Sequence, residues 1–202
     1  DVGVITNISY AHAKNFKNIK QIALAKAEII RNIKDGGSIV LNADDQFYRF
    51  HKAIAQKRGI NIHSFSLTKK NSGIYIDSIK KEKSKYKILI NMKNFKKYFY
   101  INSNFENDLK NLLSAISIIS IFMDIKNLDK NIFYNHEIPK GRGDISKIKL
   151  FKKEFYLIDE SYNSNPLSLK SALKNFDKIK VNGFKKHLVL GDMLELGQHS
   201  KR

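Results

Sequence analysis

Ser38-Ile39-Val40-Leu41-Asn42-Ala43-Asp44-Asp45 is the stretch on which the fold turns. Over Ser38–Asn42 the apolar residues follow one another without polar alternation, the pattern of a strand covered on both faces in a parallel sheet. Asp44-Asp45 can cap a helix, expected over residues 46–57. Upstream, Asp35-Gly36-Gly37 stops a helix expected over residues 19–34, with an apolar stripe of Ile19, Ile22, Ala23, Ile29, Ile30 and Ile33. Before it, residues 2–8 form another β-branched run, ending in a polar loop that carries His12. Downstream, Asn61–Ser66 reads as a third strand. The order β-α-β-α-β implies an α/β fold with a parallel, doubly wound sheet.

Beyond residue 66 the pattern changes. Residues 73–79, 86–90 and 98–101 alternate apolar and polar side chains, as in an antiparallel meander. Residues 107–124 predict a long apolar helix. Pro139-Lys140-Gly141-Arg142-Gly143 then joins two glycines to one of only two prolines, a linker. Past it, strands are expected over residues 145–150 and 154–158, a helix starting at Pro166, and a buried strand over residues 187–190. The chain thus divides into two α/β pieces, residues 1–142 and 143–202.

Composition narrows the function. The 202 residues include no cysteine, which excludes disulfide scaffolds, thiolate metal sites and cysteine nucleophiles. No apolar run is long enough to cross a bilayer. The chain opens on Asp1 and closes on Lys201-Arg202 without a terminal pattern, as expected of an internal fragment. The net charge of +18 raises the possibility of a basic, non-catalytic nucleic-acid-binding domain. Against it, 32 of the 37 basic residues are lysines spread along the chain rather than arginines suited to bidentate recognition. The expected partners therefore exclude nucleic acid.

Three places could carry chemistry. Lys26 lies four residues from Ile22 and seven from Ile19, on the apolar stripe, where a lysine must be paired, neutralised or modified, or else snorkel to the surface. His12 follows the C-terminal end of a parallel strand, where open α/β sheets bind ligands and where an imidazole can hold a metal. Asp159-Glu160-Ser161-Tyr162-Asn163-Ser164-Asn165-Pro166 packs carboxylates, hydroxyls and amides into a strand-to-helix turn. Such a turn suits anion binding, and also plain helix capping by the residues from Asn163 to Asn165.

These segments together resemble the Mur ligases, ATP-dependent amide-forming enzymes of peptidoglycan synthesis. Asp1-Val2-Gly3-Val4-Ile5-Thr6-Asn7-Ile8 with Ala11-His12 is similar to the family's D-V-x-V-I-T-N-I…A-H segment. Ala25-Lys26-Ala27-Glu28-Ile29 is similar to its A-K-x-E-I helix, and Val40-Leu41-Asn42-Ala43-Asp44-Asp45 to its V-L-N-A-D-D strand end. Two later segments, Ile158 through Pro166 and Leu190-Gly191-Asp192-Met193-Leu194-Glu195-Leu196-Gly197, resemble the member that joins D-alanyl-D-alanine to UDP-N-acetylmuramoyl-tripeptide. Other Mur ligases and folylpolyglutamate synthases share the fold and remain alternatives.

The resemblance implies the later part of a central ATPase domain over residues 1–142, followed by the start of a Rossmann-like C-terminal domain over 143–202. It implies a cytoplasmic, monomeric enzyme that uses ATP and magnesium. No G-x-x-x-x-G-K-S/T loop occurs in the chain, so the fragment is expected to be inactive alone. By the same resemblance Lys26 is the carbamylated lysine, and it and His12 are the magnesium ligands. Arg142 contacts ATP phosphate, Glu160 holds the ribose, Asn111 faces adenine, and Asn163 and Asn165 contact substrate. Asn107-Asp108-Leu109-Lys110-Asn111-Leu112-Leu113 departs from the family's H-N-x-x-N-A-L adenine pattern, lacking its His and first Asn.

Overall fold

The structure is a computed structural model that describes residues 1–10, 15–134, 139–162, 164–180, 183, 185–193 and 196. The chain divides into two compact units, Asp1–Ser9 with Asn18–His136, and Tyr10–Lys17 with Glu137–Arg202.

The first unit is built on a six-stranded sheet in the order β1-β2-β3-β4-β5-β6. The strands are β1 (Val2–Ile5), β2 (Ser38–Asn42), β3 (Asn61–Ser66), β4 (Ile74–Glu82), β5 (Lys85–Met92) and β6 (Phe95–Ile101). Pairing is parallel from β1 to β4 and antiparallel from β4 to β6. All five residues of β2 are buried. Val40 joins the cluster formed with Leu109, Leu112, Leu113 and Ile116 of helix α4 (Glu106–Phe122). Its neighbour Ile39 turns the other way: a Cβ added at Gly3 would stand 3.0 Å from Ile39 Cδ1 and 2.9 Å from Ile33 Cδ1. Helices therefore cover both faces, which explains the unbroken apolar run. Gly3 lets the helix layer approach β1.

The long helix expected over residues 19–34 is two pieces, α1 (Ile19–Lys26) and α2 (Glu28–Asn32), broken at Ala27. Asn18 caps α1 by accepting the Gln21 N–H at 3.1 Å. Ile29, expected on the apolar stripe, is 41% exposed. Helix α3 runs from Tyr48 to Lys57, two residues later than expected, because Asp45 first turns the chain by accepting the Phe47 N–H at 2.8 Å. Among the described residues no helix is long and apolar enough to cross a membrane.

The second unit holds a hairpin of β7 (Asp144–Leu150) and β8 (Lys153–Asp159), then helix α5 (Pro166–Lys178). None of its described hydrophobic side chains is fully buried. The strand expected over residues 187–190 is not formed, and Val189 is 97% exposed. A parallel strand holds its shape only through a neighbouring ladder, and the strands of this unit pair only with each other.

Candidate active site

The C-terminal ends of the parallel strands are tied into one polar network. The Asn42 amide donates to the Thr6 carbonyl at 2.9 Å and accepts the Asp44 N–H at 2.9 Å. Asp44 accepts the Ser66 hydroxyl at 2.6 Å and the Leu67 N–H at 2.7 Å. Asp45 accepts the Ile8 N–H at 2.8 Å, and Lys69 Nζ donates to the Ala43 carbonyl. Asp44 thus latches the continuation of β3 rather than capping a helix, and Asp45 holds the segment that leaves β1. The paired aspartates were the signal in the sequence. Their partners, 22 and 37 residues away, were not readable there.

Lys26 is the last residue of α1 and is exposed. This corrects the inward placement expected from the stripe. The fully buried residue of that turn is Ala27, at 0% exposure, and the break at Ala27 interrupts the continuous helical phase on which the stripe depended. A lysine ammonium at a helix C-terminus also sits favourably against the helix dipole. Among the described residues Lys26 has no hydrogen-bond or ion-pair partner, so its amine is open to modification. Asn111 lies exposed on α4. His12 and Asn163 lie outside the described residues.

Arg142 precedes β7 and Glu160 follows β8, at the base of the hairpin. Gly143, at φ +93°, donates its N–H to the Asp159 carbonyl at 2.7 Å, and the Tyr162 N–H donates to the Gly141 carbonyl at 3.1 Å. A Cβ added at Gly143 would stand 3.1 Å from Glu160 Oε1 and in a conformation L side chains avoid. The exposed Arg142 guanidinium lies 4.4 Å from the centroid of the Tyr162 ring, a cation–π contact that sequence reasoning missed. The Ser161 hydroxyl and N–H hold the Asp159 carboxyl below the usual aspartate value, against a smaller opposing effect of burial. Asn165 caps α5: its side-chain oxygen accepts the Leu167 and Ser168 N–H groups at 3.1 and 3.0 Å, and Ser168 Oγ accepts the Asn165 N–H at 2.9 Å.

The family model described as the Mur ligase middle domain matches residues 1–119. The chain belongs to the Mur ligase family. As a Mur ligase chain it is 30% identical, over its full length, to the UDP-N-acetylmuramoyl-tripeptide--D-alanyl-D-alanine ligase of Rickettsia prowazekii, of which it covers 44%. It is 29% identical over 98% of its length to the same-named ligase of Buchnera aphidicola subsp. Baizongia pistaciae, covering 41% of that protein. The crystal structure of MurF from Acinetobacter baumannii shares the fold, with a TM-score of 0.81 and 24% identity over 98% of this chain and 41% of that one. The chain therefore spans less than half the length of these relatives. Within the Mur fold, the Asn42–Asp45 network sits at the strand ends where open α/β sheets take their ligands.

Proposed function

We propose that the protein to which this chain belongs joins D-alanyl-D-alanine to UDP-N-acetylmuramoyl-tripeptide at the expense of ATP. The carrying observation is the 30% identity, along the whole chain, to a ligase of that name. Residues 1–142 act as the later part of the ATP-binding domain and 143–202 as the start of the C-terminal domain.

In this reading the γ-phosphoryl group of ATP passes to the terminal carboxylate of the tripeptide, releasing ADP and leaving an acyl phosphate. The amine of D-alanyl-D-alanine attacks the acyl carbon, phosphate leaves, and the amine gives up a proton. Arg142 supplies a planar cation to the phosphate oxygens, and Tyr162 stacks against its guanidinium and limits its motion. Glu160 accepts from the ribose hydroxyls. Asn111 stands on the adenine side. Asn165 keeps its amide N–H groups for substrate while its oxygen caps α5, and Asn163 contributes beside it.

Lys26 fits a carbamate: once its exposed, unpaired ammonium gives up a proton, the amine nitrogen can bond the carbon of CO₂ and release a second proton, which exchanges a cation for an anion. Carbamylated Lys26 and the His12 imidazole would hold magnesium. When bound, magnesium offsets the charge on the transferring phosphoryl group. The protein acts in the cytoplasm as a monomer, without nucleic acid.

The test is an assay of the complete polypeptide. Phosphate release that requires both UDP-linked tripeptide and D-alanyl-D-alanine, with the amide product identified by mass, is the expected result. Product formed instead from another amino acid and a shorter UDP-linked acceptor overturns the reading in favour of a different Mur ligase. DNA retention that falls with salt, without ATP hydrolysis, overturns it in favour of a nucleic-acid-binding domain.

A further inference from the structure

β3 and β4 pair through only two residue pairs, Phe65 with Ile74 and Ser66 with Tyr75. Alongside the first half of β3 the sheet is therefore open, and a cavity of about 680 Å³ occupies the notch. It lies toward the N-terminal half of β3, whereas the Asn42–Asp45 network occupies the opposite strand ends.

Apolar and polar side chains share the lining of the notch, and several of the polar ones can donate. Ser72 Oγ is buried and has no hydrogen-bond partner, the one such side-chain atom among the described residues. Ser64 Oγ accepts the Gly73 N–H at 3.1 Å, which leaves its own proton to donate. His63 and Lys93 share the lining. Asp124, the only carboxylate among the described residues that line the notch, already accepts the Lys126 N–H at 2.9 Å. A buried hydroxyl left unpaired is unusual in a folded protein and calls for a partner.

We propose that this notch binds a small oxyanion, a phosphate or carboxylate group, held by the Ser72 and Ser64 hydroxyls, the His63 imidazole and the Lys93 ammonium. The local field agrees with it. Burial first, and the Lys93 ammonium second, hold the His63 imidazole below its ordinary value. The other charged groups facing the notch are Lys52 on α3 and Asp124 and Lys126 after α4, so cations outnumber the single acid. An anion seated among them would stabilise the imidazolium and raise the His63 value. The inference does not depend on the ligase reading.

The test is an NMR titration of the complete polypeptide, following the His63 ring resonances against pH. Inorganic phosphate and succinate are the probes, with sodium chloride at matched ionic strength as the control for screening. Saturable binding of either probe, with a rise in the His63 value beyond that in chloride, is expected, and the two arms separate phosphate from carboxylate. Ser72→Ala removes an unpaired hydroxyl, so it should fold as well as the wild type yet bind about fivefold more weakly, and Lys93→Gln about tenfold more weakly. Shifts equal to those in chloride, or unchanged affinity in both variants, overturn the proposal.

Discussion

His51 Nε2 lies 3.0 Å from the carbonyl oxygen of Ala23. His51 is only 1% exposed, and the bond joins α3 to the helix that carries Lys26. A carbonyl can only accept, so Nε2 carries the proton. The same carbonyl accepts the Ala27 N–H at 3.0 Å, and that N–H is shared with Leu24 O at 3.1 Å. The Ala23 carbonyl thus serves the helix ladder and an outside donor together, and α1 ends within that turn.

His51→Leu keeps most of the side-chain volume and removes the donor. It should destabilise the chain by about 1–2 kcal/mol, the cost of one buried hydrogen bond. A lower denaturant midpoint with an unchanged slope checks it, together with faster exchange of the Ala27 amide. An unchanged midpoint would show that the bond contributes nothing net.

Lys26→Ala should abolish ligation in the complete protein, because alanine cannot carry the carbamate. Short carboxylic acids should restore part of the rate by supplying the missing anion. His12→Ala should raise the magnesium concentration needed for half-maximal rate. Full activity in Lys26→Ala would return that residue to ordinary helix surface.

Arg142→Lys retains the charge but loses the planar fork and its stacking on Tyr162. Single-turnover formation of acyl phosphate should slow in Arg142→Lys and more so in Arg142→Ala. Equal rates in all three proteins would remove Arg142 from the phosphate site. Full replacement by lysine would show that charge alone suffices.

Asp159 has a depressed folded value, with the Ser161 hydroxyl as the largest cause. A depressed carboxylate contributes stability above its unfolded value and loses it as pH falls through the lower folded one. The turn from Gly141 to Tyr162 should therefore keep its order at neutral pH and loosen only below about pH 4. Carbon-13 NMR of the Asp159 carboxyl checks this. Ser161→Ala should move its midpoint upward, and an unmoved midpoint would rule out the Ser161 bond as the cause.

Much of the fold was legible because its signals are local. Ser38–Asn42 and Asn61–Ser66 were read to the residue, since their β-branched apolar content and flanking Gly and Asp need no distant partner. The N-terminus of α5 was legible for the same reason, with Asn165 and Pro166 three residues or fewer from everything they cap. The break at Ala27 and the lack of a strand over residues 187–190 were not, because apolar spacing looks the same whether or not a neighbour exists to cover it. At the site, the segments around Lys26, Arg142 and Glu160 were visible, but the Tyr162 contact with Arg142 was not.

The sequence by itself determined the order and type of elements, the capping of α5 and the family likeness, all of which rest on residue types at short spacing. Tertiary structure alone decided that Lys26 faces out beside a buried Ala27, that Asp44 latches β3 rather than capping a helix, and that the sheet opens between β3 and β4. Each of these depends on residues brought together from distant parts of the chain. Burial and pairing are set by what packs against a side chain, and a periodicity a few residues long carries no record of that neighbour.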